Sequence, residues 1–161
     1  MTTQSQSGIV LLSIAPLLEQ NPQFATHPDC QDSIYMTLNF YKKTGFNPPW
    51  ISYYTSLDDE LVGAAAFKGK PIENQVEIAY GVFERFQNKG IGSKICMALV
   101  DLSLATDPGV IITARTLPER NFSARLLEKN NFKLRGTVHD PEDGDVWEWE
   151  YVNVSRKGAF A

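Results

Sequence analysis

The chain has 161 residues, of which 43% are apolar, 21% charged and 11% aromatic, a balance that excludes a disordered tail and suits one domain around one hydrophobic core. A net charge of −4 argues against general affinity for nucleic acid. Two cysteines, Cys30 and Cys96, and two histidines, His27 and His139, lack the number and spacing of a disulfide framework or a metal cluster, so no metal is expected.

No apolar run approaches the roughly 20 residues of a membrane helix. No Lys or Arg precedes the apolar stretch Ile9–Ala15, so the chain reads as lacking a signal peptide and membrane contact, hence cytoplasmic. Charge is unevenly spread. From Glu84 to Arg135 there are nine Lys and Arg against five Asp and Glu; this basic middle within an acidic chain suits a small polyanionic ligand, or simply solvated helices.

In chain order, residues 1–7 are polar and expected to be loose, and Ile9–Ile14 suits a first strand. Residues Asp29–Thr44 carry Ile34, Leu38 and Tyr41 at helical spacing and stop at Gly45. Asn47-Pro48-Pro49 is a loop. Strands are predicted at Trp50–Thr55, Leu61–Phe67 and Val76–Val82, the first two joined by a turn at Asp58-Asp59. A helix fits Gly90–Ala105, with Ile91, Ile95, Leu99 and Leu102 on one face. Val110–Thr113 reads as a buried strand and Asn121–Asn131 as a short helix capped by Asn121 or Ser123. A hairpin closes the series, Phe132–Val138 and Val146–Val152, its second arm alternating Trp147, Trp149 and Tyr151 with Glu148 and Glu150. With no repeat and no linker, residues 1–161 are one mixed α/β domain: a mainly antiparallel central sheet flanked by helices.

Val76 to Ser93, VEIAYGVFERFQNKGIGS, is the most informative segment. It joins a strand to a helix that opens on Gly90-Ile91-Gly92. Unpaired backbone N–H groups and the positive helix end then converge on one spot, which favours phosphate or pyrophosphate. Two glycines admit a ligand close to the backbone. The order Gly92-Ser93-Lys94 is not a Walker loop, and Ile95 stands at the third glycine of a Rossmann fingerprint. A glycine-rich turn that merely starts a helix remains the plain alternative.

The run Gln87-Asn88-Lys89-Gly90-Ile91-Gly92 resembles the Q/R-x-x-G-x-G/A loop of the GNAT superfamily of N-acetyltransferases. Downstream, the stretch from Thr116 through Pro118, Glu119, Asn121, Ser123, Leu126, Glu128 and Lys129 to Phe132 is similar to that superfamily's second signature. It is closest to the ribosomal-protein N-terminal (RimJ/RimL-like) branch, and Leu61-Val62-Gly63 and Gly69-Lys70-Pro71 look like that branch too. The resemblance covers roughly residues 50–152.

It implies the GNAT acyl-CoA N-acyltransferase fold, acetyl-CoA as co-substrate, and its pyrophosphate on Gln87, Asn88, Lys89, Gly90, Ile91, Gly92 and Ser93. It further implies a slot for the pantetheine arm beside the strand ending at Val82, whose backbone N–H would polarise the thioester carbonyl. Asn121 and Lys129 are candidate cofactor contacts and Ser123 a proton donor to the departing thiolate; as plain alternatives, Asn121 and Ser123 cap the helix and Lys129 is solvated. Glu77 is the candidate base for the attacking amine, or else a strand charge, with Glu84 second. Tyr80 lines the acceptor pocket or the core. Leu127 stands where many members carry an acidic tyrosine.

The expected reaction is acetyl transfer from acetyl-CoA to a primary amine of a small molecule, peptide or protein N-terminus, by direct attack in a ternary complex. The enzyme is expected as a monomer or homodimer, without nucleic acid. A non-catalytic acyl-CoA-binding sensor, supported by Leu127, is the alternative.

Overall fold

The computed structural model describes residues 2–4 and 8–153, the first three by backbone alone. One eight-stranded sheet runs through the molecule in the order β1-β2-β3-β4-β5-β6-β8-β7. The strands are β1 Thr2–Gln4, β2 Val10–Ser13, β3 Ser52–Leu57, β4 Glu60–Phe67, β5 Gln75–Val82, β6 Ile111–Thr116, β7 Phe132–Asp140 and β8 Gly144–Tyr151. All neighbours pair antiparallel except β5 and β6, which are parallel and joined through a helix, as a parallel crossover requires. The helices are α1 Pro22–Ala25, α2 Ser33–Thr44, α3 Ile91–Thr106 and α4 Phe122–Lys129. None of them is long and apolar enough to cross a membrane.

The fold is the mixed, mainly antiparallel α/β class expected, and the corrections are local. Residues 2–4, expected to be loose, pair with β2 from Thr2↔Leu12 to Gln4↔Val10; the sheet edge supplies hydrogen bonds that a polar tripeptide cannot form alone. The remainder of 1–7 lies outside the described residues. The helix expected from Asp29 begins at Ser33, and Pro22–Ala25 forms a one-turn helix without a periodic signal. Strand β6 runs on to Thr116 because β8 pairs with it that far, through Thr116↔Trp147. Its hairpin neighbours are likewise longer, meeting at Asp140 and Gly144. The turn at Asp58-Asp59 has φ of 51° and 65°, the left-handed pair that a two-residue hairpin demands.

Helix α3 packs on β4 and β5. Its Ile91, Ile95, Ala98 and Leu99 are buried at i, i+4, i+7 and i+8, the spacing of a core-facing stripe. Below it, β5 buries Val76 and Ile78 on the same side and leaves Glu77 half-buried on the other. Trp149 is 1% exposed and donates from Nε1 to Thr116 Oγ1 at 3.0 Å, so its one polar atom is satisfied in the core.

The site depends on where the sheet comes apart. The β5–β6 ladder runs only from Gln75↔Ile111 to Ile78↔Ala114, while β5 continues to Val82 against β4. Between β4 and β5 the approach is close: a Cβ on Gly63 would lie 2.2 Å from the Gly81 carbonyl oxygen, so only glycine fits there.

Candidate active site

Beyond Ile78 the two parallel strands separate and open a cleft of about 1080 Å³. Its walls are β5, β6, the start of α3 and the inner side of α4, with the β7–β8 turn at one end. The phase of the β4–β5 ladder decides what β5 presents to it. Lys68 N bonds Glu77 O and Phe83 N bonds Val62 O, both at 2.9 Å. Alternation along an antiparallel ladder then turns the N–H and C=O of Glu77, Ala79 and Gly81 toward β4, and those of Tyr80 and Val82 toward the vanished β6 partner. Backbone groups on a half-open strand edge are what an amide-bearing ligand can pair with. Gly81 has no atom within 4 Å of where a Cβ would stand, so the strand face above the slot is clear.

Strand β5 ends in a single 3-10 turn, Glu84–Phe86. Gln87 Nε2 then donates to Val82 O at 3.2 Å, pinning the loop to the strand end. Asn88 has φ 64° and Gly90 φ 77°, and these two left-handed residues swing the chain into α3. Gly90 is the N-cap of α3, and no side chain caps the helix. The backbone N–H groups from Gly90 to Ser93 therefore have no intrahelical partner and face the cleft end. Gly92 is small for a second reason: a Cβ there would stand 3.0 Å from Leu126 Cδ1 on α4. The Ser93 hydroxyl accepts from Asn130 Nδ2 at 3.0 Å, which joins the beginning of α3 to the end of α4.

The expected residues do not all gather here. Val82, Gln87, Asn88, Gly90, Ile91, Gly92, Ser93, Ser123, Lys129 and Glu77 line the cleft. Lys89 and Asn121 do not. The Lys89 ammonium sits 5.8 Å from the Phe86 ring centroid, and Asn121 Oδ1 accepts from Ala124 N at 2.9 Å, making it the N-cap of α4. Asn121 thus takes the capping alternative. Ser123 does not cap: its hydroxyl makes no hydrogen bond among the described residues and faces the cleft. Glu84 also lies off the cleft. Leu127 lines it and is 2% exposed, so no tyrosine stands at that wall.

Roughly 16 Å along β5 from Val82, five residues at strand rise, the other end of the cleft is built from side chains. Glu77 is flanked by Lys68 Nζ at 3.1 Å and Arg115 Nε at 3.6 Å. Arg115 also reaches Asp140 Oδ2 at 2.9 Å and Glu148 Oε2 at 3.3 Å. Two backbone N–H groups, those of Glu142 and Asp143, with Arg115 beside them, hold the Asp140 carboxyl down to about 2. Sequence reading missed Lys68, Arg115 and Asp140. Only Asp140 left a trace, as the start of an Asp-Pro-Glu-Asp-Gly turn.

Neither thiol is a nucleophile. Burial pushes Cys96 up to about 12 and Cys30 up to about 11, and a thiol this far from ionising is inert at neutral pH. Tyr80 lines the cleft, and burial raises its phenol as well, with the nearby Cys96 thiol adding to the shift.

Residues 16–132 match the model of the acetyltransferase (GNAT) family, and the chain belongs to that family. It is an N-acetyltransferase by membership, and the resemblance read from its loop and second signature is borne out. No protein of curated function matches it at a significant level. Among solved structures, the aminoglycoside acetyltransferase AAC(6')-Ib, in complex with paromomycin and acetyl-CoA, superposes with a TM-score of 0.69 at 19% identity, over 96% of this chain and 98% of that one. The ribosomal L7/L12 α-N-protein acetyltransferase RimL, in complex with coenzyme A, gives 0.65 at 17%, over 94% and 98%. A spermidine N-acetyltransferase chimera from Vibrio cholerae and a second source gives 0.66 at 14%, over 90% and 95%. At these identities the likeness establishes a shared fold.

Proposed function

We propose that the chain transfers an acetyl group from acetyl-CoA to a primary amine by direct attack in a ternary complex. The observation that carries this reading is the pairing of an uncapped α3 N-terminus with an unpaired strand edge, both opening on one cleft. The residues present fit the co-substrate. The N–H groups from Gly90 to Ser93 suit a pyrophosphate, with Gln87, Asn88 and, from α4, Lys129 around it. The outward N–H and C=O groups of Tyr80 and the N–H of Val82, whose carbonyl already accepts from Gln87, suit the amides of a pantetheine arm. Bound there, acetyl-CoA supplies a thioester, an acetyl group already activated toward amines.

The chain's own part is electrostatic and positional. Of the two outward N–H groups on β5, that of Tyr80 is the nearer to Glu77. It suits stabilising negative charge that develops on the thioester carbonyl oxygen, with Val82 further back along the arm. Glu77 takes the proton that the attacking amine must lose, directly or through a water, its carboxylate oriented by Lys68 at 3.1 Å. Ser123, with an exposed hydroxyl on the cleft wall, hands its proton to the leaving sulfur as it takes one from a solvent water, so that the serine ends as it began. Two buried, high-pKa thiols favour direct transfer over an acyl-cysteine intermediate. Glu77, Asp140 and Asp143 line the far end of the cleft together with Lys68 and Arg115, three carboxylates against two cations, and this small acidic excess suits a cationic acceptor: a small-molecule amine or a protein or peptide N-terminus.

Release of free coenzyme A from acetyl-CoA, followed against a panel of amino acids, N-terminal peptides, polyamines and aminoglycosides, tests the reading. Turnover with at least one amine, with a mass increase of one acetyl group on it, is expected. Coenzyme A binding without turnover on any member would overturn the catalytic assignment of this cleft.

A further inference from the structure

We infer that Arg115 is a positioning residue, which fixes the β7–β8 turn against the cleft wall and so shapes the end of the cleft where the amine enters. The inference rests on the reading above for which end receives the acceptor. Its geometry is independent of that reading. The parallel register Val76↔Ile112 and Ile78↔Ala114 sets Glu77 and Arg115 on one face of the sheet, and Arg115 pairs across the next ladder with Glu148. The guanidinium therefore meets three carboxylates from three elements: Glu77 of β5, Glu148 of β8 and Asp140 at the end of β7.

These three differ in what else holds them. Glu77 also has Lys68 at 3.1 Å. Glu148 also has Arg135 at 3.4 Å, and Arg135 is itself held by Glu150 at 3.4 Å and by Gln75 Oε1 at 3.0 Å. Asp140 has Arg115 as its one ion-pair partner among the described residues. Its second oxygen accepts from Glu142 N at 2.9 Å and Asp143 N at 3.1 Å, closing the turn whose Asp143 lines the cleft. Removing the guanidinium thus leaves two carboxylates in an ion pair and Asp140 with only the more distant charge of Lys68. The loss falls on the turn. A charge-assisted, fork-shaped donor set is what can hold three such oxygens at once.

The test compares Arg115→Gln, Asp140→Asn and the double variant. Arg115→Gln is expected to raise the acceptor KM about tenfold with kcat changed less than about threefold, a split that marks lost positioning rather than lost chemistry. Coenzyme A affinity should hold, and hydrogen exchange at the Glu142 and Asp143 amides should quicken while that at Gly92 and Ser93 does not. Asp140→Asn should act in the same direction and the double variant should be non-additive, as expected for one shared contact. An unchanged acceptor KM, unchanged exchange in the turn, or additive effects would overturn the inference. If Glu77→Gln keeps full turnover while Arg115→Gln still raises the acceptor KM, the general-base reading falls and the positioning role stands.

Discussion

The two ends of the cleft are made of different material. At the α3 end the useful groups are backbone: N–H donors freed by an uncapped helix and by a strand whose neighbour has left it. At the Glu77 end they are side chains, and most of their charge is already matched by partners in the protein. The first kind of site is indifferent to most side chains but sensitive to anything that fills or caps it. The second depends on residue identity. Helix α4 makes the contrast sharper, since it begins on the same cleft yet Asn121 Oδ1 occupies one of its first donors, Ala124 N, and Ser123 and Lys129 are the side chains it offers.

The largest expected effect lies at the side-chain end. Glu77→Gln keeps shape and removes a proton acceptor, so kcat should fall by about 10²–10⁴-fold with coenzyme A affinity unchanged. A fall under threefold, where chemistry limits the rate, returns Glu77 to a strand charge. At the backbone end, Gly90→Asp puts a carboxylate among the donors meant for phosphate. Each charge-assisted hydrogen bond contributes about 1.5–3 kcal/mol, so calorimetry should show coenzyme A binding weakened about 100-fold or more, while a side chain at φ 77° costs on the order of 1 kcal/mol and lowers melting by a few degrees. Retained affinity would show that the loop is a helix start and nothing else.

Ser123→Ala should leave the melting temperature unmoved, because the hydroxyl has no partner to lose, while turnover falls about tenfold or more if it serves as the acid. Full turnover would pass that role to water. Asn121→Ala should do the reverse, removing a helix cap at a cost of about 1 kcal/mol, or a fall of about 2–4 °C in melting, with coenzyme A affinity held. A clear loss of affinity would put Asn121 back on the cofactor.

The smallest effect is in acid. The Asp140 carboxyl sits at about 2, against an ordinary value of 3.8. A lowered carboxylate contributes stability that is complete above its unfolded value and lost as pH falls through the folded one. The melting difference between the parent and Asp140→Asn should therefore be full at neutral pH and close between about pH 4 and pH 2. A difference that stays constant over that window would detach Asp140 from the turn's stability.

Much of the backbone end was legible beforehand. Gly90-Ile91-Gly92 announced an uncapped helix start, and the apolar spacing from Ile91 to Leu99 announced its buried face, because both are local matters of dihedral freedom and helical period. Asn121 was visible only as a choice between cap and ligand contact; the choice waited on where α4 points its first turn.

The sequence by itself determined the element types, the mixed α/β class and the family signatures, since propensity, period and turn chemistry act over a few residues. The tertiary structure alone decided three further matters. The insertion of β8 between β6 and β7 brought Glu148 to Arg115. The end of the β5–β6 ladder at Ile78 turned ordinary strand amides into a binding edge. The grouping of Lys68, Glu77, Arg115 and Asp140 joined residues up to 72 positions apart in number, Lys68 to Asp140. Pairing partners, ladder ends and ion pairs are relations between distant segments, and a one-dimensional pattern holds no term for them until the sheet fixes which strands meet.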